Sequence, residues 1–219
     1  MPKVSIELTY RSDVSSMASV AGQFRERARN QFRDEALDAA SHLVVTRGWQ
    51  GLQMREVARQ VGVSRQTLYN EFTHKHGLAQ ALLLRLTERF LDGIEHALHS
   101  ADAPRHAWSA AVRYTLDTAG DEPLLKVVLT SDGSDEFLPL LTTEGAPIVE
   151  VARDRIAAVL HRRWPDLNHA DITVAAETAA RLTLSHIMLP LHPTDHVADD
   201  VSRLLISFLG EPHRAHRAS

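Results

Sequence analysis

The chain contains no cysteine. That excludes a disulfide framework and any zinc site built on thiolates, and it suits a reducing, cytoplasmic setting. Aromatic residues are scarce at 5%, yet hydrophobic residues reach 44%. The core must therefore be built mainly from Ala, Leu and Val, a composition that leans towards helix. No apolar run approaches the roughly 18 residues that cross a bilayer, so no membrane partner is expected. The opening MPKVSIELTYRSDVSSMASV lacks a continuous apolar stretch of the secretory type. A surplus of positive charge is missing too. The formal charge of −4 argues against a protein that coats nucleic acid over its whole surface.

The charge is unevenly placed, however. Residues 1–78 carry 11 basic and 8 acidic side chains, and residues 79–219 carry 13 and 20. The N-terminal third is the more basic part, as a small nucleic-acid module on an acidic body would be. With 219 residues the chain suits one large helical domain or a small module joined to a larger one.

No β alternation is sustained and no internal repeat is found. Residues 1–22 lack a period and read as a flexible arm. Ala36, Ala39, Ala40, Leu43 and Val44 then recur at three- and four-residue steps until Gly48, which predicts a helix over about 25–47. A short helix is expected over 54–61, with Val57, Ala58 and Val61 on one face, and Gly62 breaks it. Ser64 is a good N-cap for the next, which runs to about Phe72. A long helix over 75–99 has Leu78, Ala81, Leu82, Leu86, Phe90 and Ile94 as its seam. Further helices are expected over about 105–119, 123–130, 152–164, 169–189 and 194–209, with residues 131–136 a loop and Pro139 and Pro147 bracketing an irregular piece. The fold class is all-α, with about nine helices.

The stretch VGVSRQTLYNEFTHKHGL, residues 61–78, raises the functional question. Two short helices joined by a glycine turn form a helix-turn-helix, in which the first braces the second and the second enters the major groove. Ala58 is small enough for close crossing, and Gly62 supplies the turn. Val57, Val61, Val63, Leu68 and Phe72 can fill the core beneath. Arg65, Gln66, Thr67, Tyr69 and Asn70 are then left outside. On spacing alone, an ordinary helical hairpin with a solvated polar face is an almost equal reading.

The stretch GWQGLQMREVARQVGVSRQTLYNEFTHKHGL, residues 48–78, resembles the DNA-binding domain of TetR-family transcriptional regulators. Gly48, Trp49, Ala58, Gly62, Val63, Ser64, Thr67, Leu68, Tyr69, Phe72 and Lys75 fall in register with the family's string. Two positions depart from it. The usual Thr/Ser pair is Leu52 and Gln53, and the common glycine before Thr67 is Gln66. The motif also resembles, more distantly, actinobacterial members linked to lipid or alkane metabolism.

The resemblance implies a helix-turn-helix domain over 23–76 and a ligand-binding and dimerisation domain over 77–219. It implies a cytoplasmic repressor that binds a palindromic double-stranded operator as a homodimer and is released by a small hydrophobic effector, with no cofactor. Thr67 and Tyr69 match phosphate or thymine-methyl contacts, and Lys75 matches a phosphate clamp at a helix N-terminus. Gln53 is placed to reach a phosphate. Gln66 has the amide that pairs with adenine, or else stays on phosphate or in solvent. Arg65 serves phosphate or guanine, and Asn70 reads a base. Glu71 stays off the backbone or accepts from cytosine. Arg25, Arg27, Arg29 and Arg33 track phosphates or lie in solvent.

For the body, the family's interface maps to the last two helices: Ala176, Ala179, Ala180 and Thr183 on one, Val201, Leu204, Leu205 and Phe208 on the other. Effector candidates are Phe90, Ile94, Trp108, Tyr114, Leu125, Val128, Leu129, Phe137, Leu141, Ile148, Leu184, His186 and Met188, a set that suits a mostly apolar ligand. Two other classes compete: a helical protein-interaction adaptor, and a metal enzyme using pairs such as His192 with His196 or His96 with His99. Pro193 interrupts the first pair and no third ligand stands at informative spacing, so catalytic and metal residues are expected to be absent.

Overall fold

The computed structural model describes residues 4–129 and 134–210, with residues 4–21 and 134 described by backbone alone. The helices run in the order α1 (Val4–Gly51), α2 (Met54–Gln60), α3 (Arg65–Phe72), α4 (Lys75–His99), α5 (Pro104–Asp121), α6 (Pro123–Val128), α7 (Ser134–Leu141), α8 (Ala146–Arg163), α9 (His169–Met188) and α10 (Thr194–Leu209). Among the described residues there is no strand. The all-α expectation holds, with α7 as the helix that sequence periodicity does not reveal.

Three boundaries differ from expectation. The backbone is helical from Val4, so the arm expected over 1–22 is, from Val4 onward, part of α1. No proline follows Pro2 in that stretch, and a weak apolar period does not itself stop a helix. The loop expected at 131–136 gives way at Ser134 to α7, which contains Pro139 and ends two residues later. Pro147 starts a helix rather than bounding an irregular piece. It lies in the first turn of α8, where its missing N–H would have had no partner anyway.

Helices α1 to α3 fold around Leu37, Ala40, Leu43, Val44, Val57, Ala58, Leu68 and Phe72, all buried. Helix α4 then leaves this cluster and runs through the body. Its buried seam begins with Leu78 and Leu82, and continues through Leu86, Phe90, Leu91, Ile94 and Leu98. Helices α5 and α8 flank it, α9 packs on α8, and α10 packs on α5. The α4–α5 crossing is close at Gly93, where a Cβ would meet the Tyr114 ring at 2.0 Å.

Trp49 links the two parts. It is buried, and its ring meets Phe137 of α7 edge-on at 4.7 Å between centroids. Gly48 precedes it with φ 73°, which bends the end of α1 and turns Trp49 into this position. Ion pairs clamp α8 to α4. Arg155 donates to Glu88 at 2.9 Å, to Glu95 at 3.4 Å and also to Asp92.

Gly62 has φ +72° with open space around its Cα, so its requirement is conformational rather than steric. Gly62→Ala should lower stability by about 1 kcal/mol, and Gly62→Asn by less, because asparagine tolerates the left-handed region. Urea denaturation of the three proteins, read by circular dichroism, checks the order.

Candidate nucleic-acid interface and effector cavity

The second and third helices meet as a helix-turn-helix requires. Ala58 is buried at the crossing, and its carbonyl accepts from Val63 N at 3.0 Å across the Gly62 turn. Ser64 has extended backbone and caps α3, with its Oγ accepting from Thr67 N at 3.0 Å. Its hydroxyl also pairs with Thr67 Oγ1 at 2.8 Å. Leu68 and Phe72 are buried beneath. Arg65, Gln66, Thr67 and Asn70 are exposed, and Tyr69 is half-buried.

The exposed face is ordered by its own pairs, each four residues apart. Gln66 Nε2 donates to Asn70 Oδ1 at 2.9 Å. Arg65 donates to Tyr69 Oη at 3.3 Å, with its guanidinium 5.3 Å from the Tyr69 ring centre. Such pairs add a few tenths of a kcal/mol to a short helix, roughly 0.2–0.5 each. They also hold the side chains extended along the face. Gln53, exposed at the N-cap of α2, makes no capping hydrogen bond.

Lys75 and Glu71 are where the structure changes the reading most. The Lys75 ammonium donates to the Trp49 carbonyl at 2.7 Å and lies 4.5 Å from the Trp49 ring centre. It therefore ties α4 to the end of α1, a structural role that the motif did not suggest. Glu71 faces α1, where its carboxylate accepts from Arg29 Nε at 2.9 Å and from Arg33 at 2.7 Å, with 7% of the side chain exposed. Burial pushes the Glu71 carboxyl up, but the two guanidinium hydrogen bonds outweigh it and hold it below the usual carboxylate range. Glu71 thus faces α1 instead of joining the exposed face of α3, and Arg29 and Arg33 pair with it. Arg25 and Arg27 are exposed.

A second clamp joins the base of α4 to the body. His76 is bonded at Nδ1 to Glu136 of α7 at 2.7 Å, and at Nε2 to Glu144 at 3.0 Å. The Glu136 hydrogen bond leads the shift. Burial opposes it and Glu144 adds to it, so the imidazole pKa lies above its usual range.

In the body, α4, α5, α8 and α9 surround a cavity of about 120 Å³. Phe90, Ile94, Trp108, Leu125, Leu141, Ile148 and Leu184 line it. The other effector candidates lie elsewhere. Tyr114 fills the space against Gly93, Phe137 packs on Trp49, and Val128 is buried outside the cavity wall. Leu129 is exposed, and His186 and Met188 are half-buried on α9. Residues that periodicity did not single out complete the wall: Leu83, Thr87, Thr115 and Ile187 among them. Helical spacing identifies an inward face but gives no sign of where that face is hollow.

The two interface stripes divide in the same way. Ala176, Ala179 and Thr183 are buried within the single chain, and Ala179, the half-buried Ala180 and Thr183 line the cavity. Val201 and Leu205 are buried on an α10 that packs against α5. Ala176, Ala179, Thr183, Val201 and Leu205 are thus covered by helices of the same chain. Leu204 and Phe208 remain on the surface, 53% and 52% exposed, as does Val174 of α9. Among the histidine pairs, His196 meets Asp200 at 3.2 Å, and no group of three His, Asp or Glu among the described residues is arranged to hold a metal.

Both clamps have a pH signature. Glu71 has a lowered pKa in the folded state, so its contribution is complete above the ordinary carboxylate range and is lost as pH falls through the folded value. Glu71→Gln should cost roughly 1–2 kcal/mol at neutral pH, less than a fully buried pair because Arg29 is exposed. His76 has the opposite sign. Its contribution is complete below pH 6.5 and fades as pH rises through the raised folded value. The stability gap between the wild type and His76→Gln should therefore be widest in mild acid and close in alkali, while the Glu71→Gln gap narrows in acid. Denaturation midpoints across the pH range measure both.

Residues 36–82 match the family model "Bacterial regulatory proteins, tetR family", and residues 102–207 match "Bacterial Tetracyclin repressor, C-terminal domain". The HTH-type transcriptional regulator AlkX of Mycobacterium tuberculosis is 35% identical over 187 residues, covering 84% of this chain and 88% of AlkX. The crystal structure of the TetR family repressor AlkX from Dietzia sp., implicated in biodegradation of n-alkanes, has a TM-score of 0.71 at 30% identity, covering 81% of this chain and 94% of the other. The crystal structure of RolR in complex with the ligand resorcinol shares the fold alone, with a TM-score of 0.58 at 16% identity and coverage of 85% and 91%. The paired helices, the exposed α3 face and the hollow helical body belong together: this chain is a helix-turn-helix transcriptional regulator of the TetR family.

Proposed function

We propose that the protein is a repressor that binds a two-fold symmetric operator as a homodimer and releases it when an apolar small molecule enters the body. The observation that carries the DNA half is the α3 face. Leu68 and Phe72 are buried, so Arg65, Gln66, Thr67 and Asn70 project from a fixed helix. Gln66 and Asn70 offer amides that read base edges, and Arg65 and Thr67 suit phosphate or base contacts. Tyr69, Gln53 and Lys75 are the further DNA-contact candidates, with Lys75 also bracing α4 through Trp49.

Dimerisation rests on Val174, Leu204 and Phe208, exposed apolar residues on the last two helices, together with the two-fold symmetry that palindromic operators impose. The effector half rests on the cavity, whose wall, among the described residues, has no ionisable side chain. That Dietzia AlkX is implicated in n-alkane biodegradation supports an apolar ligand. An effector acts by binding the two dimer states unequally, and α4 is the element through which it does so, because it carries both the cavity wall and the attachment of α3.

In vitro selection from random duplexes should enrich a palindrome. Binding to it should weaken steeply with salt, because phosphate contacts release counterions. Gln66→Ala and Asn70→Ala should each relax preference at one position per half-site, by about 1–3 kcal/mol. Titration of the selected duplex and its point variants reads this out. No enriched sequence, or an enriched sequence without symmetry, overturns the proposal.

A further inference from the structure

The cavity wall is distinctive for what its polar groups have left to offer. Apart from the Trp108 indole, the polar side chains among its lining residues are three threonines. Thr87 Oγ1 donates to the Leu83 carbonyl at 2.9 Å, and Thr115 Oγ1 to the Ala111 carbonyl at 2.8 Å. Both protons are therefore already engaged within their own helices. Thr183 is different. It is 7% exposed and lines the cavity, and its hydroxyl makes no hydrogen bond among the described residues. Trp108, 1% exposed, keeps its Nε1–H buried without a partner. Trp108 and Thr183 thus each bring an unpaired donor to residues lining one apolar space, and of the two the indole N–H is the one fully buried without a partner, which is destabilising.

Charge is the second constraint. Among the described residues, no Lys, Arg, His, Asp or Glu lines the cavity. A carboxylate or phosphate brought into it would lose its hydration and gain no counter-charge. A purely hydrocarbon ligand would fill the space but leave the Thr183 hydroxyl unmatched. The volume, about 120 Å³, is comparable to a cavity that holds a benzene ring.

We infer that the cavity takes a neutral hydrocarbon carrying one oxygen, a hydroxyl or carbonyl, with that oxygen accepting a hydrogen bond from Thr183. This rests on the cavity being the effector site and narrows the class of molecule it admits. Because α9 carries Thr183 and α4 carries the opposite wall, the oxygen fixes how deep the apolar part reaches between them.

The test uses the full chain and two matched sets: n-octane, 1-octanol and octanoate, and toluene, benzyl alcohol and benzoate. Equilibrium dialysis with gas-chromatographic detection measures binding to the wild type, Thr183→Val and Thr183→Ser at pH 7.5. In at least one set the alcohol should bind, with the carboxylate at least about tenfold weaker. Thr183→Val keeps the side-chain shape and removes the donor. It should weaken the alcohol by about tenfold while leaving the hydrocarbon within about threefold, and Thr183→Ser should restore the alcohol. If Thr183→Val changes alcohol and hydrocarbon alike, or the carboxylate binds as well as the alcohol, the inference fails and the effector cavity stands. If no member of either set binds the wild type, the effector reading of the cavity fails with it.

Discussion

One helix is held at both of its functions. The apolar seam of α4 starts at Leu78 and Leu82, close to the small core that seats α3, and ends along the cavity at Leu86, Phe90 and Ile94. A helix of 25 residues spans nearly 40 Å at about 1.5 Å per residue, so the two ends are remote yet covalently continuous. Its first turns join the recognition face to the body, beside the Trp49–Phe137 contact and the packing of α1 on α6. Three contacts fix them: Lys75 to the Trp49 carbonyl, His76 to Glu136 and Glu144, and the His74 imidazole capping Gly77 N.

These contacts differ in character. The Lys75 and Glu71 clamps lie within the N-terminal helices and make α1, α3 and the start of α4 one piece. The His76 clamp reaches outward to α7 and to the segment after it, and Leu141 at the end of α7 lines the cavity. The helix whose existence the sequence concealed is therefore the one that connects the cavity wall with the base of α4.

What could be read in advance follows the range of the interactions. The helix-turn-helix is local: Ala58, Gly62, Ser64, Leu68 and Phe72 are close in sequence, and each does in the structure what its chemistry suggests. The Arg29, Arg33 and Glu71 pairing spans some forty residues, so a solvated arginine run and a buried counter-ion look the same from sequence. The stripes on α9 and α10 are ambiguous for a related reason. Apolar spacing marks a buried face without saying whether the cover is the same chain or another. Here Val201 and Leu205 are covered from within and Leu204 and Phe208 are not. Thr183 was placed with the small residues that allow close packing, and its unengaged hydroxyl is visible only once α9 is set beside the cavity.

Arg155 has a consequence of its own. It faces carboxylates at 88, 92 and 95, which recur once per turn along a single edge of α4. One guanidinium meets all three at once, so it offsets the mutual repulsion of three like charges stacked on that edge, a repulsion that would otherwise work against α4 itself.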